Sequence, residues 1–298
     1  MRPRHRTTAR SFLLAVLAAG LLAGPANGAV PDRLIFPVVG LTQYTNDFGA
    51  PRGSHRHQGN DIMAKRRTPV VAVENGRVRI YRGSSSAGCM LYLYGASGTS
   101  YMYVHLNDDL TMRDDNKATN CRLGVAYAPG LKTDMRVKAG DLIGFVGNSG
   151  DARGIAPHLH FELHPNGGRA VSPYKWLRAA PKLLYTVRTG VTSTRVALKG
   201  ILKEAGEETV LVRVSRVYNS AGPGSTWIAR RVRVAFEEGM VVERRLQDGQ
   251  VGTASLAKAK VDEQVKLWTA DIAPTLSTRL GTARALAAAR ILLLGLKG

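Results

Sequence analysis

Short runs of alternating apolar and polar residues, separated by turn signals, extend from Ile35 to Leu163 without any long helical period. The segment Thr68–Arg82 predicts a β-hairpin, because two strand-like runs flank Asn75-Gly76, the strongest short hairpin signal. A second hairpin is predicted where "CMLYLYG" and "SYMYVHL" flank Ala96-Ser97-Gly98. Turn signals at such short intervals favour an antiparallel β-sheet core, so the fold class indicated is all-β.

One polar stretch, Asn107–Thr133, interrupts this pattern. It contains four aspartates: Asp108, Asp109, Asp114 and Asp115. We expect it to form a surface insertion. The strand pattern resumes afterwards, with a turn predicted at Ala139-Gly140 and a strand over Leu142–Val146.

A short helix is predicted over residues 172–180, because Ser172 suits the N-cap and Pro173 suits the first helical position. Pro181 cannot continue the helix. We therefore expect a first domain over residues 29–180.

The remaining residues, 181–298, predict a second domain that is mainly β, since runs such as "ETVLVRVSRVY" alternate apolar and polar residues. Its tail, "STRLGTARALAAARILLLGLKG", has helical spacing and high helix propensity, and predicts a terminal helix far below membrane-spanning length. No functional motif marks this region, so its role is either structural or the targeting of a surface.

The first 28 residues have a basic head, a short apolar middle and small residues at the exit, which is typical of a secretory signal peptide. An uncleaved N-terminal anchor is the alternative, and both predict a secreted or periplasmic protein. In an oxidising compartment Cys89 and Cys121 predict a structural disulfide. Such a bridge contributes roughly 3 kcal/mol by restricting the unfolded chain.

The chain carries a formal net charge of +20, from 42 basic and 22 acidic residues. A basic exported protein is attracted to polyanions, and the anionic polymers of a bacterial cell wall are the partners we expect. Nucleic acid is the rival partner. We do not expect it, because the basic residues are not interleaved along the sequence with stacking aromatic residues.

The segment "PHLHFEL" places His158 and His160 on one face of a strand and Leu159 and Phe161 on the other. Two imidazoles on one face suit a divalent metal such as zinc, although this pair alone is a weak signal. The segment "HRHQGNDIMA" adds His57 and Asp61 at positions that also share a face if the chain is extended.

Gly59 stands between this second pair, where a side chain would crowd a metal. A third segment, "YMYVHL", contributes His105. On its own, the pair His57 and Asp61 has an ordinary structural explanation, and so does His105. Four of the seven histidines, His57, His105, His158 and His160, are nevertheless candidates in these three segments, and apart from His5 in the predicted signal peptide only His55 and His164 are left over. This distribution indicates a shared site.

The segments "HQGND", "YVHL" and "PHLHFEL", in this order, resemble the lysostaphin/LytM-type zinc metalloendopeptidases, the glycyl-glycine endopeptidase family. The flanking "FGAPRG" and "VKAGDLIGFVGNSG" resemble it as well. The resemblance covers roughly residues 36–177 and none of the C-terminal region. It implies an antiparallel sheet crossed by a groove, with one Zn²⁺.

Carried over to this chain, the resemblance implies that His57, Asp61 and His160 are the metal ligands and that His105 and His158 are catalytic. Three protein ligands leave one position for water, whose pKa zinc lowers to about 7. The two catalytic histidines would then transfer a proton and stabilise the oxyanion, in an order the sequence does not assign. Activity is expected to fall as acid protonates the ligand histidines.

The function implied is hydrolysis of peptide cross-links in bacterial peptidoglycan. Two alternatives stay open: a non-catalytic envelope protein that binds wall or activates an amidase, and a general extracellular peptidase for glycine-rich proteins. The chain departs from the family's pattern in its long Asn107–Thr133 stretch, which could cover one end of the groove. An upstream side chain such as Asn46 could also approach the metal. The sequence indicates neither the bond cleaved nor the oligomeric state.

Overall fold

A computed structural model describes residues 30–117 and 120–296. The predicted signal peptide, residues 1–28, lies outside the described residues. Strands account for nearly all the regular structure, which confirms the all-β fold class. None of the described helices is both long and apolar enough to cross a membrane.

The first part of the chain contains short strands and one helix: β1 (Thr42–Gln43), β2 (Pro51–Arg52), β3 (His55–Arg56), β4 (Asn60–Ala64), β5 (Pro69–Val71), β6 (Gly76–Arg82), β7 (Cys89–Gly95), β8 (Ser100–Leu106), β9 (Arg136–Val137), β10 (Leu142–Phe145), β11 (His158–His164) and α1 (Tyr174–Ala179). The second part contains longer strands and another helix: β12 (Thr194–Ala205), β13 (Thr209–Asn219), β14 (Gly224–Arg245), β15 (Val251–Thr253), β16 (Glu263–Ile272), α2 (Leu276–Leu280) and β17 (Ala287–Leu296). Single 3₁₀ turns occur at Gly150–Ala152, Pro165–Gly167 and Leu256–Lys258.

Seven strands form the main sheet of the first part, in the order β1-β4-β11-β8-β7-β6-β9, with every neighbouring pair antiparallel. Strands β5 and β10 form a separate pair and share one apolar core with the main sheet. Fully buried members of that core include Phe36, Ile62, Leu91, Tyr103 and Phe161. One face of the main sheet is thus covered, and the other is available for a site.

The structure confirms one of the two predicted hairpins. Strands β7 and β8 pair around residues 96–98, as predicted. The hairpin predicted over Thr68–Arg82 is wrong, because β5 and β6 belong to different sheets. Asn75-Gly76 is instead a corner between the sheets, where the Asn75 side-chain oxygen accepts a hydrogen bond from the backbone of Ala139 (2.9 Å).

The stretch Asn107–Thr133 is less exposed than a surface insertion should be. Asp108 and Asp109 are buried, and both are paired, with Arg153 and Arg66 respectively. Buried carboxylates need such partners, and the run of aspartates does not reveal them. The prediction of a surface insertion is therefore wrong for these two residues.

The predicted disulfide is confirmed, since Cys89 at the start of β7 is bonded to Cys121. It ties the Asn107–Thr133 stretch to the main sheet. Helix α1 ends at Ala179, also as predicted. Its N-cap is Pro173 rather than Ser172, whose hydroxyl instead donates a hydrogen bond to the side chain of Asn46 (3.3 Å).

The second part of the chain forms a closed ring of strands. Strand β12 pairs with β13 and β16, β14 pairs with β13 and β17, and β16 pairs with β17. Only the β14–β17 pair is parallel. In chain order, and without the short β15, the ring runs 1-2-3-5-4, the strand order of OB-type Greek-key barrels. Its interior is apolar and includes Val196, Leu198, Val212, Val232 and Leu293.

The helix predicted for the tail is confirmed only over residues 277–280, the part of α2 that lies in the tail. Residues Ala287–Leu296 form strand β17 instead. Ala288, Ile291 and Leu293 are buried there, and backbone pairing with β14 and β16 completes the ring. Tertiary pairing thus overrides a local helix propensity worth only tenths of a kcal/mol per residue, on the order of 0.5.

An apolar cluster and a buried ion pair are among the contacts that join the two parts. Ile35 and Val71 pack with Leu183 in a small apolar cluster. Arg279, the residue before the last in α2, donates a hydrogen bond to Asp141 (2.9 Å), and this ion pair is almost fully buried.

One apolar core gives way to the other between Leu177 and Leu184, while the domain boundary at residue 180 stays a prediction. The independence of the two folding units remains a prediction.

Candidate metal and catalytic site

Strand β11 supplies two imidazoles to the open face of the main sheet. Leu159 and Phe161 are fully buried in the core, so His158 and His160 project from the opposite face. Strand β11 lies between β4 and β8. Its register sets His160 directly opposite Asp61 on β4. Alternation and register together therefore bring residues 99 positions apart in sequence side by side.

Three of the predicted residues place one donor atom each at a single point. His57 Nε2 lies 2.8 Å from His160 Nδ1, and Asp61 Oδ1 lies 3.1 Å from each of these nitrogens. The cluster is the one group of metal-competent side chains found in the described residues. The structure thus brings the predicted ligands together, while their role as ligands remains a prediction.

Hydrogen bonds on the side away from the cluster determine which ring nitrogen of His57 and of His160 faces the cluster. His57 donates from Nδ1 to the backbone oxygen of Asp47 (3.0 Å), which leaves Nε2 toward the cluster. His160 donates from Nε2 to Glu162 Oε1 (2.8 Å), which leaves Nδ1. Glu162 also accepts from His164 through its other oxygen (2.6 Å). Such outer partners orient metal-binding histidines and raise their basicity.

Gly59 is required by the close approach of β11. A Cβ at this position would lie 2.5 Å from the backbone oxygen of Phe161 and 3.0 Å from His160 Nε2. The sequence explains Gly59 by the crowding of a metal by a side chain. The structure gives a different explanation for the glycine. The side chain would displace the strand that carries His160.

The histidine predicted on β8 also reaches the site. His105 has a left-handed backbone conformation (φ 59°) next to an irregularity in the β7–β8 pairing. Its ring centroid lies 5.1 Å from that of His158 and 5.9 Å from that of His160. A positive φ is costly for a residue with a Cβ, and such strain is most often kept at functional positions.

The rings of His105 and His158 are each anchored through Nδ1. His105 lies 2.9 Å from the backbone oxygen of Ser149, and His158 lies 2.9 Å from that of Ala156. A carbonyl oxygen can only accept, so both Nδ1 atoms carry a proton and donate it. Nε2 is then the nitrogen that each ring offers to a substrate.

Electrostatics favour a positive charge inside the cluster. Burial alone would lower the pKa of His160, but hydrogen bonds to Asp61 and Glu162 outweigh it and raise that pKa to about 9. Burial would raise the pKa of Asp61, yet its hydrogen bonds to His160 and His57 hold it far below the usual range. The cluster therefore stabilises a proton where a metal cation would supply the same charge.

The pKa of His105 shifts in the opposite direction to that of His160. Burial, together with the neighbouring His158, lowers the pKa of His105 to about 4. The imidazole is therefore neutral near pH 7, with Nε2 free to accept a proton.

The cluster lines a groove of about 660 Å³ across the open face of the sheet. Arg52 and His55 lie at one rim, and residues 86–87 and 151–155 lie at the other. Arg52 also donates a hydrogen bond to Asp61 Oδ2 (2.6 Å), so that the carboxylate presents Oδ1 to the cluster. No described residue of the Asn107–Thr133 stretch lines this groove, so the expectation that it covers one end is wrong.

Comparison with known proteins gives the same family as these motifs. The model of peptidase family M23 matches residues 55–120. Residues 55–120 carry the sequence pattern of this family. The L-Ala--D-Glu endopeptidase of Bacillus subtilis is 28% identical over 163 residues, covering 50% of this chain and 44% of the relative. An uncharacterized metalloprotease of Haemophilus influenzae is 31% identical over 118 residues, covering 39% and 20%.

Among solved structures, the catalytic domain of lysostaphin from Staphylococcus simulans is similar, with 25% identity and a TM-score of 0.36. That match covers 46% of this chain and 92% of the lysostaphin domain. The chain spans less than half the length of the two relatives above. We call the region that carries the family resemblance, roughly residues 36–177, the M23 domain.

The donor set of the M23 domain fits a metal ion. Its three donors stand 2.8–3.1 Å apart. Ligand atoms on a tetrahedral ion with bonds of about 2.0–2.1 Å stand about 3.3 Å apart. Imidazole nitrogen and carboxylate oxygen are also the donors that a divalent transition metal takes.

Sequence reasoning missed several supporting residues. Glu162 could have been found, because it lies two positions after His160 and so shares its face. Asp47 and Arg52 carry no spacing signal, since a loop brings them to the cluster. Asn46, which was expected near the metal, does not line the groove, and its neighbour Asp47 contacts His57 instead.

Proposed function

We propose that this protein is a zinc metalloendopeptidase that hydrolyses peptide cross-links of bacterial peptidoglycan. The observation that carries the proposal is the convergence of His57, Asp61 and His160 on one point in the floor of a groove, beside two further histidines. The M23 domain and the basic charge of the chain support it.

In this proposal His57 Nε2, His160 Nδ1 and Asp61 Oδ1 hold the zinc ion. When bound, zinc supplies a Lewis acid that polarises the peptide carbonyl and makes water a nucleophile near neutral pH. The chain's part is to present three donors whose geometry is already fixed by Asp47, Glu162 and Arg52.

His105 and His158 handle protons beside the zinc site. Each ring is held by a backbone carbonyl and keeps Nε2 for the substrate. His105, being neutral, is suited to accept the proton of the attacking water and return it to the leaving amine. His158 Nε2 lies 3.8 Å from Asp61 Oδ1, beside the ligand carboxylate. As an imidazolium, with a proton on Nε2 as well as on Nδ1, His158 would donate to the tetrahedral oxygen and stabilise its charge.

The test combines zinc analysis with clearing of purified cell walls. We expect the wild type to bind about one zinc per chain and to clear walls. His160→Ala should lose both properties. His105→Ala should keep its zinc and lose about 10²–10⁴-fold in rate, the range for a general acid–base.

His55→Ala is the matched control for zinc content, since His55 lies at the rim and outside the donor set. Mass spectrometry of the released fragments identifies the bond that is cut. A wild type that is free of metal and inert would support the non-catalytic envelope protein instead. Cleavage of glycine-rich proteins but not of walls would support the general peptidase.

Export completes the proposal. A protein that cuts peptidoglycan has to leave the cytoplasm, and residues 1–28 supply the signal peptide we expect. N-terminal sequencing of the protein recovered outside the cytoplasm should begin within a few residues of position 29. A mature chain that still begins at Met1 would contradict cleavage.

A further inference from the structure

The outer face of the barrel carries a second groove, of about 480 Å³, across strands β12, β13 and β14. It lies on the opposite side of these strands from the apolar interior. In OB-type barrels the face of strands two and three is a frequent place for binding oligomeric ligands. Here those strands are β13 and β14.

The groove is lined by several cations and by no acidic residue of the described chain. The cations open to solvent are Lys199, Arg213, Arg216 and Arg231. None of these four forms an ion pair with a described carboxylate, whereas most other exposed barrel arginines do, as Arg195 does with Asp271. Like charges that stay unpaired on one surface repel each other, so an external anion would relieve the repulsion.

The side chains of the groove are partly held in place. Arg216 lies 4.4 Å from the ring centroid of Trp227 and 5.5 Å from that of Tyr218, and its Nε donates a hydrogen bond to Ser225 (3.1 Å). Stacking on aromatic rings fixes a guanidinium without neutralising it. Less side-chain entropy is then lost when an anion binds.

Cations and aromatic rings continue to alternate beyond the groove. Lys266 lies between Tyr218 and Trp268, at 5.2 and 4.7 Å from their centroids, and Arg290 lies 4.8 Å from Trp268. Basic and aromatic residues that are not interleaved along the sequence thus alternate in space. The residues come from different strands, so their alternation is invisible along the sequence.

We propose that this groove binds an anionic carbohydrate polymer, through carboxylate or phosphate groups paired with Arg213, Arg216, Arg231 and Lys199. An anionic glycan can bind through ion pairs to the four cations, and the half-exposed Trp227 adds apolar surface beside them. Single-stranded nucleic acid needs successive open rings for successive bases. Tyr218, Trp227 and Trp268 each have two cations within about 6 Å of the ring centroid, so they do not supply that platform.

The groove also lies close to the M23 domain. Trp227 lies 5.9 Å from the ammonium nitrogen of Lys65, which directly follows β4, the strand that carries Asp61. A polymer bound along β13 and β14 would therefore lie close to the end of a site-forming strand. Binding itself does not depend on hydrolysis, so this inference can fail or succeed independently of the proposed function.

The test measures binding of the full chain to four probes: polygalacturonate, poly(glycerol phosphate), uncharged dextran and single-stranded oligothymidine. We expect one or both anionic glycan-type polymers to bind, dextran not to bind, and oligothymidine to bind more weakly. Preference between the first two distinguishes carboxylate from phosphate recognition. The double variant Arg213→Gln/Arg231→Gln should bind at least about 10-fold more weakly, with a shallower dependence on salt.

The matched control is Arg245→Gln/Lys258→Gln, which removes the same charge from exposed barrel positions outside the groove. We expect its affinity to stay within about 2-fold of the wild type, because neither residue contacts the groove. Trp227→Ala should lose about 3- to 10-fold, since it removes the support of Arg216. Thermal melting checks that each variant is folded.

Three outcomes would overturn the proposal. The wild type could bind neither anionic polymer. The groove and control variants, both folded, could lose affinity equally, which would show attraction by net charge alone. Oligothymidine could bind more tightly than both polymers, which would assign the groove to nucleic acid.

Discussion

The M23 domain and the barrel place charged side chains in opposite environments. His57 and His158 are each only 5% exposed, and every donor near them has a fixed partner. The barrel's Arg213 and Arg231 stand in solvent without ion pairs. Electrostatic interactions are strong where water is excluded and weak where it is not. Single changes should therefore have large effects in the enclosed cluster and small effects on the barrel.

Metal removal should give the largest effect and separate the two regions. A strong chelator should reduce wall hydrolysis at least about 10³-fold, since a metal contributes several kcal/mol to transition-state stabilisation. Polymer binding by the barrel should stay within about 2-fold. Both are measured on one sample, by turbidity and by binding, with added zinc restoring hydrolysis. Loss of polymer binding on chelation would break the separation.

The buried ion pair between the two parts provides the next test. Arg279→Met leaves Asp141 buried without its partner and should lower the free energy of unfolding by about 3–5 kcal/mol. Arg195→Met breaks a comparable but exposed pair with Asp271 and should cost at most about 1 kcal/mol. Denaturant unfolding of both variants measures the contrast. Equal losses would show that burial does not set the size of these effects.

A smaller effect, on zinc affinity, is expected when Glu162, the hydrogen-bond partner of His160, is changed. Glu162→Gln keeps the shape of the side chain but removes the negative charge that accepts from His160. We expect zinc affinity to fall about 10- to 100-fold, as is typical when an outer partner of a ligand histidine is changed. Competition with a chromogenic chelator measures it. Unchanged affinity would mean that Glu162 serves only the fold.

The smallest effect is expected on the barrel. Arg231→Gln alone should weaken polymer binding by only about 2- to 5-fold, because a solvated charge contributes little by itself. Arg213, on β13, lies directly opposite Arg231, so the losses from the two single changes are not expected to sum to the loss in the double variant. Abolition of binding by the single change would mean that the groove is as tightly coupled as the histidine cluster.

The sequence predicts the histidine site better than it predicts the barrel, for a physical reason. His158 and His160 share a face because strand alternation is a local property, and Gly59 sits within a few residues of the ligands it accommodates. The register that pairs β4 with β11 then follows from the hydrophobic pattern of the two strands. Trp227, Arg216 and Lys266 become neighbours only after a ring closes, which no local spacing encodes.

The errors have the same origin. Asn75-Gly76 was predicted to close a hairpin, but its flanking strands pair with partners far along the chain. Asp109 looks solvated in the sequence until Arg66 is brought to it. The tail was assigned to a helix by propensity, yet β17 is held by pairing on both sides. In each case a contact distant in sequence outweighed a local preference.

The way the sheets end has a consequence for a protein expected to work outside the cell, beyond the reach of cytoplasmic chaperones. The outermost strands of the main sheet, β1 and β9, have two residues each, and the ring of the barrel joins back on itself. Neither part, as far as the chain is described, offers a long row of unsatisfied backbone groups to a second molecule. Each described part therefore gives a second molecule only a short edge on which to add a strand.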